Sequence, residues 1–189
     1  MINLNIITRD NYYYEKLLNL NYIKLGKISY IYTGNSINSK IKELHFTNVD
    51  GINYIATKDI NYDKTINYDN GTNISSNFIN KFRIAPIDSI LLCIEGGSAG
   101  KKIGFLDRSV CFGNKLCCLN LYFGYNKFLF YYLQSPQFIS KFEEYKTGII
   151  GGLSIKKLEE FLIPLISMKS QKEIATKLEL IDRYIKELC

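Results

Sequence analysis

The stretch APIDSILLCIEGGSAGKKIGF, residues 85–105, decides the fold class. Its first half, Ser89–Ile94, is a short apolar run of β-favouring residues, and Lys102–Phe105 resumes that character after a cluster of three glycines. Two strands joined by a glycine-rich turn are expected there. The turn also raises a chemical question, because its glycines stand before the paired lysines Lys101 and Lys102. A nucleotide-binding P-loop needs G-x-x-x-x-G-K-[ST], so that backbone amides wrap the phosphates and a hydroxyl reaches the magnesium ion. Glu95 stands where the first glycine is required and Lys102 where the hydroxyl is required, so the nucleotide reading fails. Two readings stay open: a turn offering Ser98, amides and two ammonium groups to phosphate, or an ordinary hairpin with solvated lysines.

Working outward, runs of the same kind at Ser29–Thr33, Ile52–Thr57 and Leu116–Tyr122 are bounded by Gly, Asn and Asp and predict further strands. Helices fit between them. Asn126 is placed to cap Lys127–Gln134, and after Ser135 and Pro136 an amphipathic segment runs to Lys146 and stops at Gly148. The expected class is therefore α+β, a mixed α/β domain, followed by one long helix. That helix starts at a capping box, Ser170-Gln171-Lys172-Glu173. Ile174, Leu178, Ile181, Ile185 and Leu188 then recur at alternating spacings of four and three, the seam of a coiled coil. From Ser170 the rod is roughly 28 Å long at 1.5 Å per residue. Such a rod either folds back on its own domain or pairs with another long helix.

Composition narrows the function. A chain of 189 residues with 47% hydrophobic and 14% aromatic residues builds a sizeable core. A net charge of +6 favours an acidic partner, although the abundance of Ile, Asn, Lys and Tyr points to A·T-rich codons and weakens that inference. No stretch approaches a membrane span and MINLNIITRDNYYYEK has no signal-peptide character, so a cytoplasmic protein without membrane attachment is expected. Five cysteines, odd in number and without a C-x-x-C pair, read as buried reduced thiols. Catalytic constellations are missing. His45 is the one histidine, the three prolines form no Asn-Pro-Pro-aromatic motif, and no G-x-G-x-x-G follows a strand. Asp88 and Glu95 have nuclease-like spacing, but Gly97 replaces the lysine that would follow. Glu143–Glu144 and Glu159–Glu160 read as solvated helical faces. Subtraction disfavours an enzyme and favours a binding module.

Six segments, in order, resemble the DNA-specificity (S) subunit of Type I restriction–modification systems: LGKISYIYTGNS (25–36), YIATKDI (54–60), residues 85–105, FLFYYLQS (128–135), TGIIGGLSIKKLEEFLIPL (147–165) and SQKEIATKLELIDRYI (170–185). The resemblance covers one target-recognition domain, residues 1–165, and one spacer helix, residues 166–189, half of the usual two-domain subunit. Departures from the pattern are Ile166-Ser167 in place of a double proline and Asn114-Lys115 in place of an Asn-Gln pair. The resemblance implies a non-catalytic subunit without cofactor or metal that reads half of a bipartite double-stranded DNA site. Its implied partners are methyltransferase (M) subunits and a restriction (R) subunit. A half-length chain would rebuild the two-domain spacer by homodimerising through Ile174, Leu178, Ile181, Ile185 and Leu188, with a target that is an inverted repeat around a gap of about 8 base pairs. By analogy the base readers lie in the divergent loops, which nominates Thr33, Asn35, Ser36, Lys58, Tyr62, Asn73 and Lys115. Ser98, Lys101 and Lys102 are the phosphate candidates; Lys101 is the better of the two lysines and its loss should lower the salt slope of binding by about one. Gly151-Gly152-Leu153-Ser154 is expected to be a joint that frees φ for chain reversal. Two other readings compete: the recognition domain of a fused methyltransferase–nuclease, and a helical protein-interaction module whose basic loops are incidental.

Overall fold

In the computed structural model, which describes residues 21–146 and 151–188, two four-stranded sheets pack face to face. The first joins β2 (Ser29–Thr33), β9 (Leu116–Leu121), β6 (Ile90–Cys93) and β7 (Ile103–Phe105), antiparallel throughout. The second has the order β4 (Asn73–Ile74), β3 (Ile52–Ile55), β8 (Val110–Phe112) and β5 (Ile84–Ala85), with β3 and β8 parallel. A third, two-stranded ribbon pairs β1 (Tyr22–Lys24) with β10 (Leu162–Pro164). The predicted strands are present with ends shifted by one or two residues, and β6 and β7 form the expected hairpin.

Period-two alternation sorts the core into layers. Ile90, Leu92, Cys117 and Leu119 point toward the helices, whereas Leu91, Cys93, Leu116 and Cys118 point toward the second sheet and meet Ile55, Val110 and Phe112. Both faces of β6 are thus buried, which is why its sequence is a continuous apolar run rather than an alternating one. The outer face of the second sheet, with Tyr54 and Cys111, is covered by Phe46 and by Phe78 and Phe82. Phe46 stands edge-on to both of these rings, at centroid distances of 5.3 and 5.5 Å. The four described cysteines are free and buried; Cys189 lies outside the described residues, as do the N-terminal segment and Gly148.

Five helices frame the sheets: α1 (Ser39–His45), α2 (Asn126–Tyr132), α3 (Pro136–Tyr145), α4 (Ile155–Glu159) and α5 (Met168–Glu187). As expected, α3 has Pro136 in its first turn and Ser135 as cap. Asn126 does not cap α2. Its side chain closes the preceding turn instead, accepting from the Leu121 amide at 2.7 Å and donating to Asn120 at 2.8 Å. The last helix also begins one turn earlier than the capping box at Ser170 predicts. Ser167 is the cap, its hydroxyl accepting from the Ser170 amide at 3.1 Å. The reason is tertiary: Gln171 turns inward, accepting from the Tyr125 amide at 2.9 Å and donating to the Ile166 carbonyl at 3.0 Å, and this seats the first turn on the domain.

Along its length α5 rests on α2 through Gln171 and Ala175, assisted by a Lys127–Glu179 ion pair at 3.1 Å. Beside that docked face, Ile174, Ile181, Ile185 and Leu188 are exposed and Leu178 is half-buried. The helix therefore folds back along one face and leaves most of its heptad seam open. Among the described residues, no helix is long and apolar enough to cross a membrane. Gly152 has no positive φ. Its role is space: a Cβ there would lie 2.5 Å from the Ile94 carbonyl oxygen, where the chain passes against the end of β6 and Leu153 donates back to Ile94 at 2.8 Å.

Candidate nucleic-acid interface

The turn after β6 is more internally bonded than its composition suggests. Gly96 and Gly100 take positive φ, the Ala99 amide donates to Gly96, the Lys101 and Lys102 amides to Ser98, and the Gly100 amide to Cys93. These four amides hold the turn and are not available to a phosphate. The two lysines diverge. Lys101 is exposed, while Lys102 reaches back, donating to the Thr57 carbonyl at 3.1 Å with its ammonium 5.1 Å from the centre of the Tyr62 ring. Tyr62 in turn meets Ser98, hydroxyl to hydroxyl, at 3.3 Å. His45 takes no part, packing 5.4 Å from the Phe78 ring on the outer layer.

Two clefts flank this link. One, of about 290 Å³, is lined by Ser36, Lys42, Tyr54, Thr57, Lys58 and Lys115. The other, of about 340 Å³, is lined by Tyr62, Lys64, Lys101 and Glu143 and by the apolar Ile103, Leu133 and Phe142. Parallel pairing of β3 with β8 brings the 57–59 turn beside the 113–115 turn, where the Gly113 amide donates to Ile55 at 2.9 Å. Seven of the nominated residues, Ser36, Lys58, Lys115, Lys102, Tyr62, Ser98 and Lys101, thereby share one surface joined by Thr57, Lys102 and Tyr62. Its charge is largely uncompensated. Lys115 faces Glu95 at 4.0 Å, and among the described residues Lys42, Lys58, Lys64, Lys101 and Lys102 have no ion-pair partner.

Thr33 and Asn35 lie at the edge of this surface and hold another segment to it. The Asn35 side chain accepts from the Arg83 amide at 2.7 Å and donates to the Lys81 carbonyl at 3.3 Å. The Thr33 carbonyl accepts from Arg83 Nη1 at 2.9 Å. The Asn35 carbonyl accepts from the Tyr54 hydroxyl at 2.6 Å, and burial pushes that phenol up to about 12, so it remains a donor. Asn73 stands apart, between β3 and β4, donating to the Val49 carbonyl at 2.8 Å and accepting from Asn53 at 2.9 Å. Tyr68 is half-buried against the inter-sheet core under the Arg108 guanidinium, 4.4 Å from its ring centre. Sequence reasoning passed over Lys42 and Arg83. The available signal was weak: Lys42 reads as one charge on a short helix, and Arg83 as one cation in a polar loop.

The family described as Type I restriction modification DNA specificity domain matches residues 18–188. The chain belongs to that family. Among solved structures, the Type-I restriction-modification system S subunit from M. genitalium superposes with a TM-score of 0.62 at 22% identity, over 90% of this chain and 41% of that one. The HsdS subunit from Thermoanaerobacter tengcongensis gives 0.59 at 19% identity, over 89% and 38%. A chain from a study of complex assembly and conformational transition of the type I R-M system gives 0.66 at 18%, over 89% and 39%. These likenesses establish a shared fold, and the chain spans about two-fifths of the length of those structures. No curated protein matches the sequence.

Proposed function

We propose that this chain reads one half of a bipartite double-stranded DNA site as the specificity component of a Type I restriction–modification system, and that residues 1–165 grip the duplex while residues 166–189 set the spacing. The observation that carries this reading is the surface on which Lys42, Lys58, Lys64, Lys101 and Lys115 converge around two clefts, where Glu95 faces Lys115 and Glu143, already paired with Lys146, lines the second cleft, so that the cations outnumber the carboxylates. Cations without partners on a folded surface suit a phosphate backbone, whose counterions they displace. Ser36 and Tyr62 stand among them as neutral hydrogen-bonding groups. Recruitment of methyltransferase and restriction subunits, and pairing of two copies through α5, belong to the same proposal and draw support from the exposed strip on α5. No catalytic step is assigned to the chain; the chemistry would lie in its partners.

Salt-dependent binding to a double-stranded oligonucleotide library tests it. The wild type should bind with an affinity that falls steeply with salt, and Lys58→Ala with Lys115→Ala should flatten the slope by about two, one for each ammonium group withdrawn from a phosphate. Binding indifferent to salt, or absent at low ionic strength even with modification subunits present, would reject the proposal in favour of the protein-interaction reading.

A further inference from the structure

Arg83 differs from every other cation on this face. Its neighbours are lysines on turns and on a short helix, whereas the segment that carries Arg83 is fastened by four hydrogen bonds to residues 32–35. Asn35 grips the Lys81 carbonyl at 3.3 Å and the Arg83 amide at 2.7 Å, the Tyr32 hydroxyl donates to the Ile84 carbonyl at 2.7 Å, and Arg83 Nη1 donates to the Thr33 carbonyl at 2.9 Å. Behind it, Gly34 admits the Phe112 carbonyl so closely that a Cβ would stand 1.9 Å from its oxygen, which locks β2 against β8 at this point. The side chain is exposed, and among the described residues no carboxylate pairs with it. One N–H of the guanidinium is thus used to aim it, and the donors of Nη2 and Nε are left for a ligand. Ser36 and Tyr54, next to and bonded to Asn35, line the lysine cleft, so the aimed fork stands at the edge of the proposed DNA surface.

We propose that Arg83 is a specificity-determining residue that reads a guanine, with Asn35 as its positioning residue. A flexible lysine suffices for phosphate, which requires charge without orientation. A planar fork held in one direction is what bidentate recognition of guanine O6 and N7 requires, and Arg is the side chain suited to it. The cost of ordering Arg83 is met by the fold before any DNA arrives, which favours discrimination. This inference rests on the DNA-reading function proposed above.

The test is selection of preferred sequences from a randomised double-stranded library by the full chain, with modification subunits co-expressed, followed by affinity measurements on the selected duplex and its single-base variants. The wild-type motif should contain a guanine whose replacement weakens binding about 5- to 150-fold. Arg83→Ala should erase the preference at that position and leave the other positions unchanged. Arg83→Gln should move the preference there toward adenine, which Gln pairs through N6 and N7. Asn35→Ala should blur the same position without removing it. An Arg83→Ala motif identical to the wild type, whether affinity is kept or lowered uniformly with a salt slope reduced by about one, would make Arg83 a bystander or a phosphate contact and overturn the inference alone. Uniform loss together with a lowered melting temperature would make it a structural brace and also overturn it. A wild type that retains no library DNA would overturn the DNA-reading function, and this inference with it.

Discussion

Gly34 shows how much one missing methyl group carries. Its Cα lies against the Phe112 backbone, the Asn35 amide donates to the Phe112 carbonyl at 2.9 Å, and a Cβ would occupy the place of that carbonyl. Neither backbone can withdraw without breaking the contact between β2 and β8. Gly34→Ala should therefore destabilise the fold by about 3 kcal/mol, the upper part of the overpacking range. Its melting midpoint should drop by roughly 6–12 °C, readable by calorimetry. The buried thiols make a second prediction. Burial pushes Cys111 up to about 11 from an ordinary 9.0 and holds Cys117 well above its ordinary value. A thiol raised in the native state stays neutral there while the unfolded chain ionises, so stability is intact below pH 9 and is lost as pH rises through about 11. Urea midpoints should be level from pH 7 to about 8.5 and then decline, and Cys111→Val should make the decline shallower. At neutral pH, iodoacetamide should leave Cys93, Cys111, Cys117 and Cys118 unmodified until the protein unfolds.

Among the elements, α5 has the most divided allegiance. Gln171 and Ala175 bind it to the domain, yet Ile181, Tyr184 and Ile185 along the same helix, and Leu188 just past its end, are 44%, 62%, 49% and 79% exposed. An amphipathic helix of 20 residues gains most of its stability from burying its apolar stripe, and only the first half of this one does so within the chain. A partner helix along the open strip is the occupant proposed here. Leu178→Asp and Ile185→Asp should each abolish dimers in light scattering while the circular dichroism spectrum stays that of the wild type. Parent and variants of equal mass would remove the dimer from the proposal. The Lys127–Glu179 pair, partly shielded and with the Lys127 ammonium 4.2 Å from the centre of the Phe105 ring, should matter less: Glu179→Gln is expected to cost under about 1 kcal/mol.

Assembled, the domain and helix define a length. Twenty residues of α5 at 1.5 Å each make a rod of about 30 Å, which spans about 9 base pairs of duplex. Two copies related by a two-fold axis and held apart by such rods would read an inverted repeat with an unread centre. Mapping modified bases in the source genome should yield two identical half-sites in opposite orientation around a gap of that order. Two unrelated half-sites would mean that each copy reads beside a different recognition domain, and the dimer would then be wrong while the DNA function stood.

Local rules, applied to the sequence alone, were enough for β2, β3, β6, β7 and β9, the β6–β7 hairpin, α3 with its Ser-Pro start and the apolar seam of α5, because each depends on residues within a few positions of one another. The strands β1, β4, β5, β8 and β10 escaped them, being only two or three residues long and defined by the strands they pair with. The same rules were also enough to exclude a nucleotide loop, since the glycine and hydroxyl it needs are absent. The starts of α2 and α5 escaped them, because Asn126 is taken by Asn120 and Gln171 by Tyr125 and Ile166, bonds that form only once helix and sheet meet. The candidate site escaped them in part for the same reason. Lysines at 42, 58 and 115 become neighbours through the parallel β3–β8 pairing, and Arg83 acquires a direction only when Asn35 and Thr33 close on it from a strand some 50 residues away. Sequence spacing carries no record of such long-range bonds; tertiary structure alone sets which charges face one ligand and which side chain is held still.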